Sequence, residues 1–295
     1  MRRLALILRA AFGKLRSMRR VIPSWRMAIR TRTVLASLLF LSTCGAGPCE
    51  APAAATAAFS AYVSKVEVRL AEQHRSPNGF LASVESGSQT SLRLRRGEFI
   101  IEQLTPASEA DLPGALLHHW RGTAFVRGAP VGDFERLMKD FNGYPQRFSP
   151  QVVRASVLSP QDGRIPDHFT ASMRVRQRHV ITVVMDTTYD IRYGRLDVQH
   201  GFSSSRSTRI SEIASPGTAK EHALSDGEEH GFLWQQNIYW SYEARDGGLY
   251  MQIESISLTR AIPTGLGWVV RPYVESVPHE SLEFTLRAAC NALRT

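Results

Sequence analysis

The sequence predicts an α+β fold in which an antiparallel sheet of about six to seven strands is followed by a long C-terminal helix. Three observations support this prediction. From Leu116 onwards, apolar and polar residues alternate along successive segments, as they do in half-buried antiparallel strands. Asp246-Gly247-Gly248 joins the last two segments and is a strong hairpin signal. The closing segment then carries a helical apolar stripe, formed by Leu282, Leu286, Ala289 and Leu293.

Residues 1–57 are predicted to be a leader segment rather than part of the fold. Lys14 and nine arginines lie before residue 34, whereas the first acidic residue of the chain is Glu50. The apolar run at 34–41 is shorter than the roughly 20 residues that span a bilayer, and an Ala-rich run follows it. A basic start, a short apolar run and small residues together indicate a secretory signal peptide. Met27 opens a compact version of this signal and is the preferred start of translation.

The leader accounts for the basic composition of the chain. After residue 33, 26 Lys and Arg residues remain against 27 Asp and Glu. A nucleic-acid-binding domain needs a basic excess of its own to neutralise phosphates, so we exclude this class. We expect an exported protein, periplasmic or secreted. Organellar targeting and a lipid anchor on Cys44 are the alternatives. Cleavage after Cys49 would leave Cys290 as the last cysteine, without a disulfide partner in the chain.

The mature chain is predicted to begin with a short amphipathic helix over 58–74. One helical face collects its apolar residues, Phe59, Tyr62, Val66 and Leu70. A Ser-Pro-Asn-Gly turn at 76–79 ends the helix, and the polar stretch that follows predicts a linker. We therefore divide the chain into the leader, an N-terminal helix with linker (58–115), and a main domain (116–295).

Within the main domain, the predicted order is one strand, one or two short helices, about six antiparallel strands and the terminal helix. The first strand covers Leu116 to Val126. Helical spacing returns over 130–141, and a turn or second helix follows at 144–148. The later strands are predicted at 152–158, 169–176, 181–193, 208–213, 232–245 and 249–260, and the terminal helix at 277–294.

This order resembles the helix-grip arrangement of the START-like (SRPBCC) superfamily, which includes lipid-transfer domains and polyketide cyclases. The segments that carry the resemblance are 133–148, the hairpin that ends at Glu254–Leu258, and 270–286. The resemblance covers about Leu116 to Arg294 and implies a strongly curved sheet that grips the C-terminal helix, with a pocket between them. The fold hosts both carriers and enzymes, so the resemblance does not choose between these functions.

Aromatic residues and methionines are the candidates to line such a pocket. The segment 232–242 places several aromatic side chains on one face, and neighbouring strands add others. Glu254, if it faces inward, is a buried carboxylate and a candidate acid or base. Residues 262–273, rich in Pro, Gly and Trp, suit a lid over the pocket. The predicted ligand-binding residues are Trp120, Met173, Met185, Tyr189, Trp234, Ile238, Trp240, Tyr242, Glu254 and Trp268. The alternative is that these residues simply fill the core.

No catalytic or metal-binding signature accompanies these candidates, and we expect neither a metal nor a cofactor. His118 and His119 are adjacent on a strand and point to opposite faces, so they do not share one ion. The sequence favours an exported, monomeric binding protein for a lipid, isoprenoid or aromatic molecule, whose membrane contact is transient or made through Cys44. A cyclase-, aromatase- or hydrolase-type enzyme and an envelope interaction module with a filled core are the alternatives.

Overall fold

The computed structural model describes residues 50–76, 79–82, 84–85, 87–158, 167–178, 182–225, 227–262 and 267–294, and for 267–275 the backbone alone. Five α-helices occur in this part of the chain: α1 (Ala53–Arg75), α2 (Gln89–Arg95), α3 (Val131–Lys139), α4 (Tyr144–Arg147) and α5 (Gly267–Ala292). The strands are β1 (Ile100–Gln103), β2 (Asp111–Leu112), β3 (Ala115–Arg127), β4 (Val152–Val157), β5 (His168–Arg178), β6 (Thr182–Arg195), β7 (His200–Ala214), β8 (His222–Ala223), β9 (Gln235–Arg245) and β10 (Gly248–Arg260).

The strands form one antiparallel sheet in the order β1-β3-β10-β9-β7-β6-β5-β4, with β2 paired to β3 and β8 paired to β7. The seven longer strands are those that the alternation of apolar and polar residues predicted. The three additional strands have two to four residues each. Such short segments are too brief to show a period of two, which is why the predicted number of strands was lower.

The first and last long strands of the domain, β3 and β10, lie side by side along their whole length. Strands β9 and β10 form the predicted hairpin. Its two turn residues, Asp246 and Gly247, have φ values of 55° and 72°. Only Gly adopts this conformation freely, and Asp tolerates it better than most residues, so the Asp-Gly pair fixes the hairpin register.

Helix α5 crosses one face of the sheet, which we call the inner face. A Cβ atom at Gly122 would lie 2.7 Å from Cδ1 of Leu286 and 2.8 Å from Cδ2 of Leu282. The helix therefore approaches β3 more closely than any larger residue would permit. The apolar stripe predicted for the terminal helix is buried here, because Leu282, Leu286 and Ala289 are at most 4% exposed.

Helix α1 covers the opposite face, which we call the outer face. It begins at Ala53, within the predicted leader, and Ala55 is already fully buried. The predicted helical stripe packs against Leu117 and Tyr239 of the sheet. The predicted linker also packs on the sheet: Phe80, Leu81, Val84 and Leu94 form a cluster with Phe125 and Tyr250. The described residues between 53 and 112 are thus packed on the same sheet as the main domain rather than forming a separate linker.

Candidate ligand-binding face

Alternation along the central strands assigns each side chain to one of the two faces. On β9, Trp240 and Tyr242 belong to the cluster beneath α5, whereas Tyr239 belongs to the cluster beneath α1. Directly opposite residues of an antiparallel pair share a face. Ser205 on β7 and Ser255 on β10 both lie opposite Ile238, so all three belong to the inner face.

The inner face is completely filled beneath the C-terminal half of α5. Trp240, Tyr242, Met251 and Ile253 are no more than 3% exposed. Phe134 of α3 closes this part, with its ring centroid 5.2 Å from that of Trp240 and 4.9 Å from that of Tyr242. No ligand-sized space is left among these side chains, and this part of the inner face is ordinary core.

Towards the N-terminal half of α5 the described inner-face side chains are less buried. Six side chains of this part of the inner face are only partly buried: Trp120, Met173, Val175, Gln236, Ile238 and Ser255. We call this region the open half. Gln177 Nε2 donates to Ser281 Oγ of α5 at 3.1 Å, and the Trp120 ring lies 5.5 Å from that of His279. These contacts place the open half beside the helix and not at a free edge of the sheet.

Small residues explain why the open half is not filled. Ile238 and its β9 neighbours are flanked by serines, namely Ser203, Ser205 and Ser207 on β7 and Ser255 and Ser257 on β10. Large aliphatic side chains usually fill central positions of a core. Ser205, Ser207 and Ser255 are smaller than these and are only partly buried.

One hydrogen-bonded chain crosses the floor of the open half. The Tyr189 hydroxyl donates to Gln236 Oε1 at 2.7 Å, and Gln236 Nε2 donates to Ser255 Oγ at 3.3 Å. The Gln236 backbone N–H donates to Ser207 Oγ at 2.9 Å. Burial raises the pKa of Tyr189 to about 12, so the phenol is neutral and remains a donor at physiological pH.

Trp120 contributes an unused hydrogen-bond donor to this region. Its indole Nε1 is inaccessible to solvent and has no acceptor among the described residues. A buried donor without an acceptor costs about 1–3 kcal/mol. The ring of His279 packs edge-on against Trp120, with an interplanar angle of 80°, and holds it in this orientation.

A carboxylate lies at one end of the inner face. Glu212 is directly opposite Met185 and is 4% exposed. It accepts hydrogen bonds from His230 Nδ1 at 2.7 Å and from the backbone N–H groups of His230 and Phe232, each at 3.0 Å. Burial alone would raise the pKa of Glu212, but these hydrogen bonds outweigh it and lower the pKa. This pair was not predicted from the sequence because 18 residues separate its members and no motif joins them.

Most predicted ligand-binding residues lie on the inner face, but not all in the open half. Trp120, Met173 and Ile238 line the open half, and Tyr189 and Met185 are buried on adjoining strands. The remaining inner-face residues, Trp240 and Tyr242, lie in the filled part. The side chain of Trp268, and most of the predicted lid at 262–273, lie outside the described side chains.

Trp234 and Glu254 were predicted to line the pocket, but both lie on the outer face. Trp234 precedes β9, which begins at Gln235, so the alternation of that strand does not apply to it, and it packs with the cluster beneath α1. Glu254 on β10 is directly opposite Tyr239, another outer-face residue. Neither side chain can line a pocket beneath α5.

Glu254 is instead the centre of a buried polar network. It is 2% exposed, accepts hydrogen bonds from Arg69 of α1 and from His119 Nε2 at 2.9 Å, and lies 3.9 Å from Arg121 Nη1. Tyr62 of α1 completes the network through a 2.9 Å hydrogen bond to His119 Nδ1. Burial opposes ionisation of Glu254, but His119 and Arg69 outweigh it and lower the pKa. The network fastens α1 to the sheet.

Two surface clefts lie elsewhere, beside the C-terminal half of α5. One of about 340 Å³ is lined by Arg147, Phe284 and Arg287, and one of about 670 Å³ by Phe99, Glu283 and Arg294, among others. Arg287 is paired with Glu283 and stacks on Phe99, so its charge is already matched within the cleft. Neither cleft reaches the residues of the open half.

Two general properties of the described residues bear on function. No group of three or more His, Cys, Asp or Glu side chains among them has the geometry to hold a metal ion. No helix in the described part of the chain has both the length and the apolar character needed to span a bilayer.

Comparisons with known proteins find similarity to solved structures only. No protein-family model matches the sequence, and no curated protein matches it. A START superfamily protein from Mycobacterium smegmatis is 14% identical, with 60% of this chain and 97% of that chain covered and a TM-score of 0.38. The Zhui aromatase/cyclase from Streptomyces sp. R1128 is 14% identical, with 60% and 94% covered and a TM-score of 0.40. Human STARD10 is 9% identical, with 70% and 82% covered and a TM-score of 0.38.

At such TM-scores the assignment of the fold rests on the topology itself. The first long strand is followed by two short helices, six long strands return antiparallel, and the last of them lies beside the first. Helix α5 then crosses the inner face of this sheet. The chain therefore has the helix-grip arrangement of strands and helices that its sequence predicted.

Proposed function

We propose that this protein binds a hydrophobic small molecule between the sheet and the N-terminal half of α5. The observation that carries the proposal is the partial exposure of Trp120, Met173 and Ile238 on the inner face of the sheet. When a ligand covers exposed apolar surface, the free energy of binding becomes more favourable by about 25 cal/mol per Å² of surface removed from water. Ligand sites are typically concave and apolar, with a few fixed polar groups, and the Tyr189–Gln236–Ser255 chain supplies such groups here.

The same proposal includes export. Its support is the composition of residues 1–57, with a basic start, a short apolar run and small residues. Fusion of residues 1–57 to a reporter enzyme that is active only outside the cytoplasm tests this part. Activity of the fusion is expected, and a fusion that stays inactive in the cytoplasm contradicts export.

A second function, chemistry on the bound molecule, is favoured by one observation. Glu212 and His230 form a carboxylate–imidazole pair at the end of the same face, an arrangement that fixes the orientation of a general base. The acid named from the sequence, Glu254, does not support this function because it lies beneath α1. Conversion of a bound molecule that stops in a His230→Ala variant would establish the enzyme, whereas release of the molecule unchanged supports a carrier.

The central experiment is native mass spectrometry of the protein purified from its own host, followed by organic extraction. A stoichiometric apolar molecule is expected. Uptake of Nile red, a neutral hydrophobic dye, provides a second readout. Ser255→Leu fills the open half and should weaken dye binding at least about tenfold, because the added side chain takes the place of the ligand.

Ser204→Leu is the matched control. Ser204 is the same residue type with similar exposure, but it lies opposite Tyr239 on the outer face. We expect this variant to bind Nile red as the unmodified protein does. An empty protein that also takes up no dye would contradict the carrier function and favour an interaction module with a filled core.

A further inference from the structure

The serine rows point to the chemistry of the ligand. Ser205 and Ser255 lie directly opposite Ile238 on either side, and Ser203 and Ser257 lie opposite Trp240 and Gln236. Within the open half, Ile238 of β9 thus lies between the partly exposed hydroxyl groups of Ser205 on β7 and Ser255 on β10, whereas Ser203 and Ser257 are buried. Neighbouring strands are about 4.8 Å apart, so the two rows are separated by roughly 10 Å.

Several of these hydroxyl groups have unused hydrogen-bonding capacity. Ser205 is partly exposed, and its hydroxyl has no hydrogen-bond partner within the described residues. Ser207 and Ser255 accept hydrogen bonds from Gln236, which leaves their own O–H groups to donate. A serine hydroxyl both donates and accepts, so the rows can bind hydroxyl and carbonyl oxygens alike.

The charge of the open half argues against an anionic ligand. None of the described side chains that line it is Lys or Arg. The titratable groups nearby are His118, His279 and the Glu212–His230 pair, in which Glu212 is ionised because its hydrogen bonds lower its pKa. Among the described residues, a carboxylate or phosphate placed here would lose its hydration without gaining a fixed cation and would meet the negative charge of Glu212.

We propose, building on the ligand-binding function above, that the ligand is an uncharged and mainly apolar molecule with hydroxyl or carbonyl oxygens towards two opposite edges. The apolar body covers Ile238, and the oxygens reach the serine rows on β7 and β10. Fatty acids and anionic phospholipids are disfavoured. A rigid ring system with oxygens at both ends matches the separation of the rows better than a flexible chain with one polar end.

The test compares three steroid probes by displacement of Nile red from the full-length mature protein. Estradiol is neutral with a hydroxyl at each end, androstane is a saturated steroid skeleton of similar size without oxygen, and estrone sulfate is anionic. Estradiol is expected to bind about tenfold more tightly than either of the others, since one hydrogen bond changes affinity by roughly two- to tenfold. Estrone sulfate binding as tightly as estradiol, or androstane doing so, overturns the inference.

A variant with both Ser205→Ala and Ser255→Ala, the two hydroxyl groups opposite Ile238, is expected to lose the preference for estradiol over androstane while still binding Nile red. Ser204→Ala, on the outer face, should keep the preference. A double variant that retains full estradiol affinity overturns the inference but leaves the binding function intact. Failure of the unmodified protein to take up Nile red or any steroid overturns the binding function itself.

Discussion

One long helix covers each face of the sheet, yet the side chains beneath the two helices pack differently. Helix α1 has 23 residues and α5 has 26. The outer face beneath α1 is closed by apolar packing and by the ion pairs of Glu254. The inner face beneath α5 is closed at one end, whereas at the other it presents serines and partly exposed apolar groups. In the proposed function, the outer face serves stability and the partly exposed end of the inner face receives the ligand.

The largest effect is expected from Glu254→Gln, which tests whether the outer face serves stability. Removing one member of a buried charge network leaves the others without a partner and costs about 3–5 kcal/mol. Urea unfolding followed by tryptophan fluorescence measures this loss.

Glu102→Gln is the matched control for that change. Glu102 also accepts hydrogen bonds from an arginine, Arg121, but it is partly exposed at the edge of the sheet. A cost below about 1 kcal/mol is expected for such a pair. Equal costs for the two variants would contradict the special role given to the buried network.

The Glu254 network also shows where sequence reasoning reached its limit. Alternation correctly separated Glu254 from Ile253 and Ser255, but it did not show which set faces α5, because β10 is buried on both faces over most of its length. The helical stripe of α1 was visible in the sequence, whereas its docking site was not. Periodicity shows that a face is buried and not against which element it packs.

The inner face was better predicted because the sequence signals that define it are local. The terminal helix and the hairpin are local features with strong signals, and they position β9 and β10 beneath α5. Ile238, Trp240 and Tyr242 of β9 were predicted to share one face, and they do, whereas Trp234 ahead of the strand lies on the other. The serine rows were not recognised as a lining, because Ser203 and Ser255 are 52 residues apart and become neighbours of β9 only through the strand order.

Two serine-to-leucine changes compare the packing of the faces directly. Ser241 is 3% exposed on the outer face, and its hydroxyl pairs with His74 Nε2 at 2.8 Å. Ser241→Leu overfills this site and should cost about 1–3 kcal/mol. Ser255→Leu, in the open half, should cost less than about 1 kcal/mol because space receives the side chain. Thermal unfolding of both variants provides the comparison, and a large loss in Ser255→Leu would show that the inner face is as full as the outer one.

The smallest expected effect is on the pH dependence of the free energy of unfolding, through His74 on the outer face. His74 stacks between Phe80 and Phe202, with both ring centroids 4.9 Å away, and burial lowers its pKa to about 4 from the ordinary 6.5. The unfolded chain therefore binds this proton at a higher pH than the folded chain. The contribution of His74 to stability is complete above about pH 6.5 and declines as the pH falls towards 4.

The two pKa values set an upper limit of about 3 kcal/mol on this decline. Because His74 is only partly buried, solvent screening reduces the expected effect to about 1 kcal/mol. His74→Gln removes the titration and should flatten the unfolding free energy between pH 6.5 and 4 relative to the unmodified protein. His222→Gln, at an exposed histidine, should leave the profile unchanged. An unchanged slope of the unfolding free energy against pH in His74→Gln would mean that protonation of His74 does not destabilise the fold. The outer face would then not exclude water from this side chain.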